Sequence, residues 1–484
     1  MKLKYNVFRI GVILISSFKL LESGSTNCLR LIFLNVIPQR VSSSKQNDAG
    51  QHGVFCSKPA DVFAATSLLG FKQELAATST NTETTVVMET GKHTIGVGTF
   101  KITDKQRRYV NDVLNKERLS YGPYTQKFEA KFAAIHDCRF GVMTNSGTCC
   151  LQIALAALKN KYNWSDGDEV IVPAVTFVAT ANIVIQLNMK PVFVDVDPLY
   201  YEIDPNLIEP AISKRTRCII PVHLFGQPCD MDRICAIAEK HNLRIIEDSC
   251  ESMFVKYKGK SVGAWSDIGC FSTYIAHILS TGVGGLCTTQ DPELAISLRS
   301  LMNHGRDSIY LNVDDDKNKS QAELEIIIKR RFRFIQMGYS YRVTELETAL
   351  GLAQLEDYET MMQKRWQNGQ TLINKLKPLS NFIQTPAIRE GAGHAFMMFP
   401  VVVRHAEKDK LVNYLEAHGI ETRDMLPLTN QPVYKTLLGT KEEDYPVAHW
   451  INKSGFYIGS HQNLTDADIN HVVNTFFEYF EKTK

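Results

Sequence analysis

A histidine, two carboxylates and a turn of small residues are the groups in this chain whose types and spacing suggest chemistry. The histidine is His277, within Ser272-Thr273-Tyr274-Ile275-Ala276-His277-Ile278-Leu279-Ser280-Thr281-Gly282-Val283-Gly284-Gly285. Imidazole exchanges protons near neutral pH, although a lone loop histidine is, by type alone, more often a surface residue. Asp248 and Glu251 stand three apart in Ile246-Glu247-Asp248-Ser249-Cys250-Glu251-Ser252. An aspartate that ends an apolar run can cap the next turn or meet a ligand. The turn is Asn145-Ser146-Gly147-Thr148, ahead of the helical run Cys149 to Leu158. Backbone N–H groups and a positive dipole end at such a helix start suit a phosphate at Gly147 and Thr148. The same residues also make an ordinary cap.

Positioning these groups takes a scaffold, and the sequence outlines one. Val170-Ile171-Val172, Pro191-Val192-Phe193-Val194, Cys218-Ile219-Ile220-Pro221-Val222 and Arg244-Ile245-Ile246 read as strands buried on both faces. Helix candidates such as Thr180 to Leu187 and Met231 to His241 lie between them. This alternation predicts an α/β fold with a mostly parallel sheet covered by helices. Ligands of such sheets sit beyond the carboxyl ends of the strands, where Asp195, His223 and Asp248 fall. Thr103-Asp104-Lys105-Gln106 can cap a helix through Leu114. Thr344 to Asp357 and Glu359 to Leu376 read as long amphipathic helices, and Asp314 to Lys329 as an insertion or loop. Met397 to Val403, Lys408 to His418 and Asp466 to Tyr479 suggest a strand, a helix and a helix in a C-terminal α/β domain.

Composition narrows the class. With 44% apolar and 22% charged residues the chain can bury a sizeable core. A formal charge of +2 gives no bulk electrostatic case for nucleic acid or an acidic membrane. No apolar run approaches the length of a membrane span. The 11 cysteines lie between Cys28 and Cys287 without a C-x-x-C pair, so reduced thiols and a cytoplasmic setting are expected. Lys2, Lys4 and Arg9 precede Ile10 to Ile15, which fits a weak leader or an unstructured start; the unstructured start is preferred. Residues 1–95 therefore read as a leader or flexible appendage.

The loop around His277 resembles the cofactor-lysine loop of the DegT/DnrJ/EryC1/StrS sugar aminotransferases, with histidine where those enzymes carry lysine. Further matches are Ser120-Tyr121-Gly122-Pro123, Thr176-Phe177-Val178-Ala179-Thr180-Ala181-Asn182, Pro221-Val222-His223-Leu224-Phe225-Gly226, Asn303-His304-Gly305-Arg306, Gly338-Tyr339-Ser340-Tyr341-Arg342 and Gly419-Ile420-Glu421-Thr422-Arg423. The resemblance covers roughly residues 103 to 476. It implies a fold type I pyridoxal-phosphate (PLP) enzyme, with a large domain at 96–360 and a smaller one at 361–484. It also implies roles: Gly147, Thr148 and Ser272 on the cofactor phosphate, and Asp248 on the pyridine nitrogen. Phe177 would flank the ring, with a core phenylalanine as the competing reading, and Arg423 would lie near substrate. No metal site is expected.

Two departures bear on activity. Histidine cannot form the lysine Schiff base, and Glu251 stands where the aminotransferases usually carry glutamine. Both features resemble the family's sugar 3-dehydratases. The resemblance then implies a pyridoxamine form (PMP) of the cofactor and a nucleotide-linked 4-keto-6-deoxysugar as substrate. His277 would act as the proton carrier. One dehydratase subtype uses an iron–sulfur cluster, which needs several suitably spaced thiolates. Without a C-x-C or any cysteine after Cys287, the subtype that regenerates PMP with L-glutamate is preferred. A sugar aminotransferase and an inactive PLP-fold protein that binds nucleotide sugars are the alternatives, and Val283 and Ser340 also depart from the family pattern. A homodimer is expected by resemblance.

Overall fold

The computed structural model describes residues 94–98, 100–307, 319–330 and 332–482. The expected leader, apart from its last residues, lies outside them. The described residues belong to one compact unit. Its first helix, α1 (Asp104–Asn115), starts where the sequence predicts: Thr103 and Gln106 exchange hydrogen bonds at 3.2 and 2.7 Å in a capping box. Helix α2 (Pro123–Ile135) has proline in its first turn.

Seven strands form the main sheet: β1 (Phe140–Thr144), β2 (Glu169–Pro173), β3 (Lys190–Val194), β4 (Thr216–Ile219), β5 (Arg244–Asp248), β8 (Ile268–Ser272) and β9 (Gly285–Thr289). A small hairpin, β6 (Lys256–Tyr257) and β7 (Lys260–Ser261), lies between β5 and β8. The sheet order is β1-β9-β8-β5-β4-β2-β3, and β9 alone runs against its neighbours. The carboxyl ends of β1, β5 and β8 therefore share one edge, which brings Thr144, Asp248 and Ser272 toward each other. Helices α3 (Gly147–Lys161) and α4 (Ala179–Gln186) pack on the sheet. Ile153, Leu155 and Ile183 share a core with Val170, Val172, Ile246 and Ile268. Burial on both faces explains why the parallel strands read as continuous apolar runs.

A second sheet of four antiparallel strands has the order β10-β11-β13-β12, from β10 (Ile383–Gln384), β11 (Met398–Val403), β12 (Thr422–Asp424) and β13 (Gly455–Gly459). Phe399, Val401, Phe456 and Ile458 pack against Leu411, Leu415, Val472 and Phe476. The 19-residue helix Tyr358–Leu376 adds Leu372 and Leu376 to this core.

The segment read as an insertion or loop at 314–329 differs from that expectation. Residues 314–318 lie outside the described residues, but Gln321–Arg330 is a helix. Ser320 and Glu323 supply the reason: the Ser320 amide donates to the Glu323 carboxylate at 2.8 Å, and the Glu323 amide returns a bond to the Ser320 hydroxyl at 3.4 Å. Among the described residues, no helix is long and apolar enough to cross a membrane.

Candidate active site

One cavity of about 380 Å³ opens at the shared strand edge. It is lined by Gly147, Thr148, Phe177, Asp248, Glu251, Ser272 and His277, residues drawn from segments 130 positions apart in sequence. Of the residues to which the resemblance gives a site role, Arg423 alone falls outside this lining. It lies exposed on β12, with its guanidinium on Glu421 and on the Thr422 carbonyl at 2.7 Å.

The turn after β1 forms one end of the cavity. Ser146 caps α3 by accepting from the Cys149 amide at 3.1 Å, and its carbonyl accepts from the Cys150 amide at 3.1 Å. Gly147 and Thr148 occupy the first turn, where amides have no carbonyl partner within the helix. A Cβ at Gly147 would fall 2.8 Å from both the Cys250 sulfur and the Ser272 Cβ. Glycine is needed there by close approach, which leaves a cradle of the size and polarity a phosphate takes.

Asp248 ends β5 and is only 4% exposed. Its carboxylate accepts from the Thr180 hydroxyl at 2.8 Å and the Cys250 amide at 3.2 Å. Burial raises its pKa above the usual aspartate range, and those hydrogen bonds pull it back. A carboxylate held this way gains from a cationic partner such as a protonated ring nitrogen. Beneath it, His223 is fully buried and donates from Nε2 to Glu247 at 2.9 Å, because its Nδ1 accepts from the Cys229 amide at 3.0 Å. Glu247 also accepts from the Gly263 and Trp265 amides and the Ser266 hydroxyl. His223 and Glu247 thus brace the strand end that presents Asp248. Asp195, the other strand-end carboxylate, accepts from the Val447 and Ala448 amides at 2.8 and 2.9 Å and so caps a helix start away from the cavity.

Glu251 is 7% exposed and accepts from the Phe225 amide at 2.8 Å, in a turn where Phe225 has φ +58°. Burial, opposed by that bond and aided by the nearby Asp248 charge, raises its pKa to about 7. The folded pKa therefore exceeds the unfolded value of 4.5. Between these values the unfolded chain releases a proton that the folded one keeps. Stability accordingly falls as pH rises from the unfolded to the folded value, by up to about 3 kcal/mol, and levels off above. Glu251→Gln keeps an acceptor for Phe225 and removes the titration. In urea unfolding of the cofactor-free protein, the variant is expected to gain roughly 2–3 kcal/mol more over the parent at pH 8 than at pH 5. An equal difference at both pH values would contradict the buried-acid account.

Phe177 is 57% exposed, so the core reading of this residue does not hold; its ring is free to lie against a planar ligand at the cavity. His277 is half-buried, and its Nδ1 is closed off from solvent without a hydrogen-bond partner among the described residues. Burial lowers its pKa to about 4, with the Arg365 charge adding to this and the Tyr274 carbonyl opposing it. At neutral pH the imidazole is a neutral proton acceptor. Thr180, Tyr457, Met397 and Met398 complete the surroundings. Nothing local in the sequence singles out the last three, which come from the second sheet and its approach. Cradle, buried carboxylate, exposed aromatic and titratable imidazole together fit a pyridoxal-phosphate group.

Solved structures of the same fold are pyridoxal-phosphate enzymes of fold type I. The GDP-4-keto-6-deoxy-D-mannose-3-dehydratase of E. coli, solved with bound hydrated PLP, is 25% identical, with a TM-score of 0.71 over 79% of this chain and all of that one. DesV of S. venezuelae, solved with a ketimine intermediate, is 29% identical, with a TM-score of 0.69 over 77% of this chain and 94% of that one. Among curated relatives, the GDP-perosamine synthase of Caulobacter vibrioides is 33% identical across 78% of this chain and 96% of its own length. Residues 101–477 match the DegT/DnrJ/EryC1/StrS aminotransferase family, and the chain belongs to it. It is an enzyme of that family, and pyridoxal phosphate or its pyridoxamine form is its cofactor.

Proposed function

We propose that this enzyme is a 3-dehydratase acting on a nucleotide-linked 4-keto-6-deoxyhexose. The observation that carries the reading is His277, which lines the cavity in the loop where the family's aminotransferases have lysine. The bound cofactor supplies an electron sink for the reacting sugar carbons. Gly147, Thr148 and Ser272 would hold its phosphate, Asp248 would pair with the ring nitrogen, and Phe177 would flank the ring. Glu251 lines the same cavity as Asp248 and would provide a second acid. Lacking an amine side chain, His277 makes no covalent claim on the cofactor. Its neutral imidazole would take up the proton released as the substrate reacts with the bound cofactor and return it to the departing C3 hydroxyl, which leaves as water.

L-glutamate is the proposed amino donor that restores the pyridoxamine form, supported by the cysteine spacing. A homodimer is proposed as the working assembly, with large and small domains meeting near residue 360. The free cysteines of the described residues fit a cytoplasmic setting. A role for Arg423 near substrate stays part of the proposal, supported by its β-ladder neighbour Tyr457, which lines the cavity.

A sugar aminotransferase is the second reading. It is favoured by the 33% identity to a perosamine synthase, against 25% to a solved dehydratase. Mass spectrometry of products separates the two. The protein would be incubated with PLP, L-glutamate and a panel of nucleotide-linked 4-keto-6-deoxysugars. A deoxygenated sugar without added nitrogen is expected; an aminated sugar that keeps its C3 oxygen would overturn the dehydratase.

A further inference from the structure

The segment Ile95-Gly96-Val97-Gly98 runs from the second sheet to the loop that carries His277, and the proposed chemistry leaves it unused. Its start is tied to the approach to β12. Ile95 bridges Ile420 in parallel: the Ile95 amide donates to the Gly419 carbonyl at 2.8 Å, and the Glu421 amide donates to the Ile95 carbonyl at 2.9 Å. The Ile95 side chain is buried in the core of the second sheet with Ile420 and Ile458. Two residues on, the Val97 amide donates to Glu421 Oε2 at 2.8 Å. The other oxygen of that carboxylate accepts from the Arg423 guanidinium. Glu421 thus holds the strap and Arg423 at once, both through hydrogen bonds strengthened by its charge.

The two glycines of the strap are required by close approach. A Cβ at Gly96 would fall 3.1 Å from the Gly98 carbonyl oxygen and 3.3 Å from Glu421 Oε2. At the far end, a Cβ at Gly98 would fall 3.3 Å from the Ala276 Cα and 3.4 Å from its carbonyl oxygen. Ala276 precedes His277, and both line the active cavity. Their loop is unevenly held. Beyond His277, Ile278 and Leu279 are buried in a core, and Ser280 exchanges hydrogen bonds with Gln354 of the helix Glu345–Leu355. Before it, Tyr274 and Ile275 are exposed. Gly98 lies against the loop at the step between its loose half and its anchored half.

We propose that Glu421 is a positioning residue for His277, acting through the strap: it fixes Val97, Val97 keeps Gly98 on Ala276, and Ala276 sets where the following imidazole stands in the cavity. The proposal rests on the reading of His277 as the proton carrier and adds the element that holds it. Proton transfer needs donor and acceptor within hydrogen-bond reach, so a carrier on a half-held loop loses rate through misplacement alone. Arg423, proposed near substrate, is fixed by the same carboxylate.

The test combines amide hydrogen exchange and steady-state kinetics on the full-length chain, the kinetics with PLP and the nucleotide-linked 4-keto-6-deoxysugar that gives product. Glu421→Ala removes the acceptor of the Val97 amide. Peptides covering 95–98 and 274–277 should then exchange about tenfold faster, while those covering the α3 turn keep the parental rate. Its kcat should fall about 10–100-fold with PLP affinity unchanged. Glu421→Gln keeps an oxygen for Val97 and gives up the charge that holds Arg423. It should stay near the parent in exchange and in kcat, with any loss through Arg423 confined to KM. Gly98→Val presses on Ala276 from the other end and should lower kcat with the anchor at Glu421 intact, which keeps the test open should Glu421→Ala fail to fold. Parental exchange at 274–277 in Glu421→Ala overturns the proposal, as does a kcat within about twofold of the parent in Glu421→Ala or Gly98→Val. Equal losses of kcat in the alanine and glutamine variants also overturn it, since they would assign the effect to Arg423. Full turnover by His277→Ala instead removes the proton-carrier reading, and the exchange data then report on the strap by themselves.

Discussion

Replacing His277 with alanine is expected to lower turnover by about 10²–10⁴-fold while leaving affinity for PLP nearly unchanged. The two effects separate because different elements carry them. The α3 turn, Ser272 and Asp248 sit on the ends of rigid strands and a helix, and each is held by its own hydrogen bonds or close packing. His277 lies in the loop after β8, and its Nδ1 has no hydrogen-bond partner among the described residues. Removing the ring therefore removes the proposed proton carrier while leaving the cradle residues in place. Absorbance titration with PLP and single-turnover assays measure the two quantities independently. Turnover within tenfold of the parent would exclude the histidine from the reaction. His277→Lys makes the complementary prediction: borohydride reduction should then trap PLP on residue 277, and the product should shift toward amination.

Asp248→Ala is expected to weaken both cofactor retention and catalysis. A charge-assisted hydrogen bond contributes roughly 1.5–3 kcal/mol, which corresponds to about 10–100-fold in the dissociation constant for PLP. The effect should be larger here than in a lysine enzyme, because no covalent bond compensates for the lost contact. Turnover should fall further still, since a ring nitrogen without its carboxylate is a poorer electron sink. Thr180 and the Cys250 amide would also lose their acceptor. Asp248→Asn keeps those two contacts in shape but not the charge, so it separates the structural loss from the electrostatic one. Unchanged PLP affinity and activity in both variants would contradict the role assigned to Asp248.

Much of the scaffold was legible because it follows local rules. Thr103 and Gln106 announce α1 by a capping box that closes within four residues. The strands β2 to β5 show as short apolar runs, since a parallel strand covered on both faces needs no polar alternation. Local patterns also explain the helix Gln321–Arg330 within a segment that reads as an insertion or loop: Ser320 and Glu323 cap it. Asp195, His223 and Asp248 looked equivalent as strand-end residues, and only their partners tell them apart. Asp195 caps a helix, His223 supports Glu247, and Asp248 faces the cavity.

The sequence by itself determined the fold class, the family and the candidates for the groups that do chemistry. Those depend on residue type and on spacing within short segments, where chain connectivity already fixes what can meet. His277 in the place of a lysine is a statement of that kind, and no coordinates were needed to make it. The tertiary structure decided which of those groups share a cavity, how deeply each is buried, and what charges surround it. It set Arg423 apart from the lining and left the Phe177 ring exposed. It also buried Arg365 with its guanidinium on the Phe396 and Met397 carbonyls. Proton affinities follow from desolvation and from charges brought together by packing, and neither is written in the order of residues along the chain.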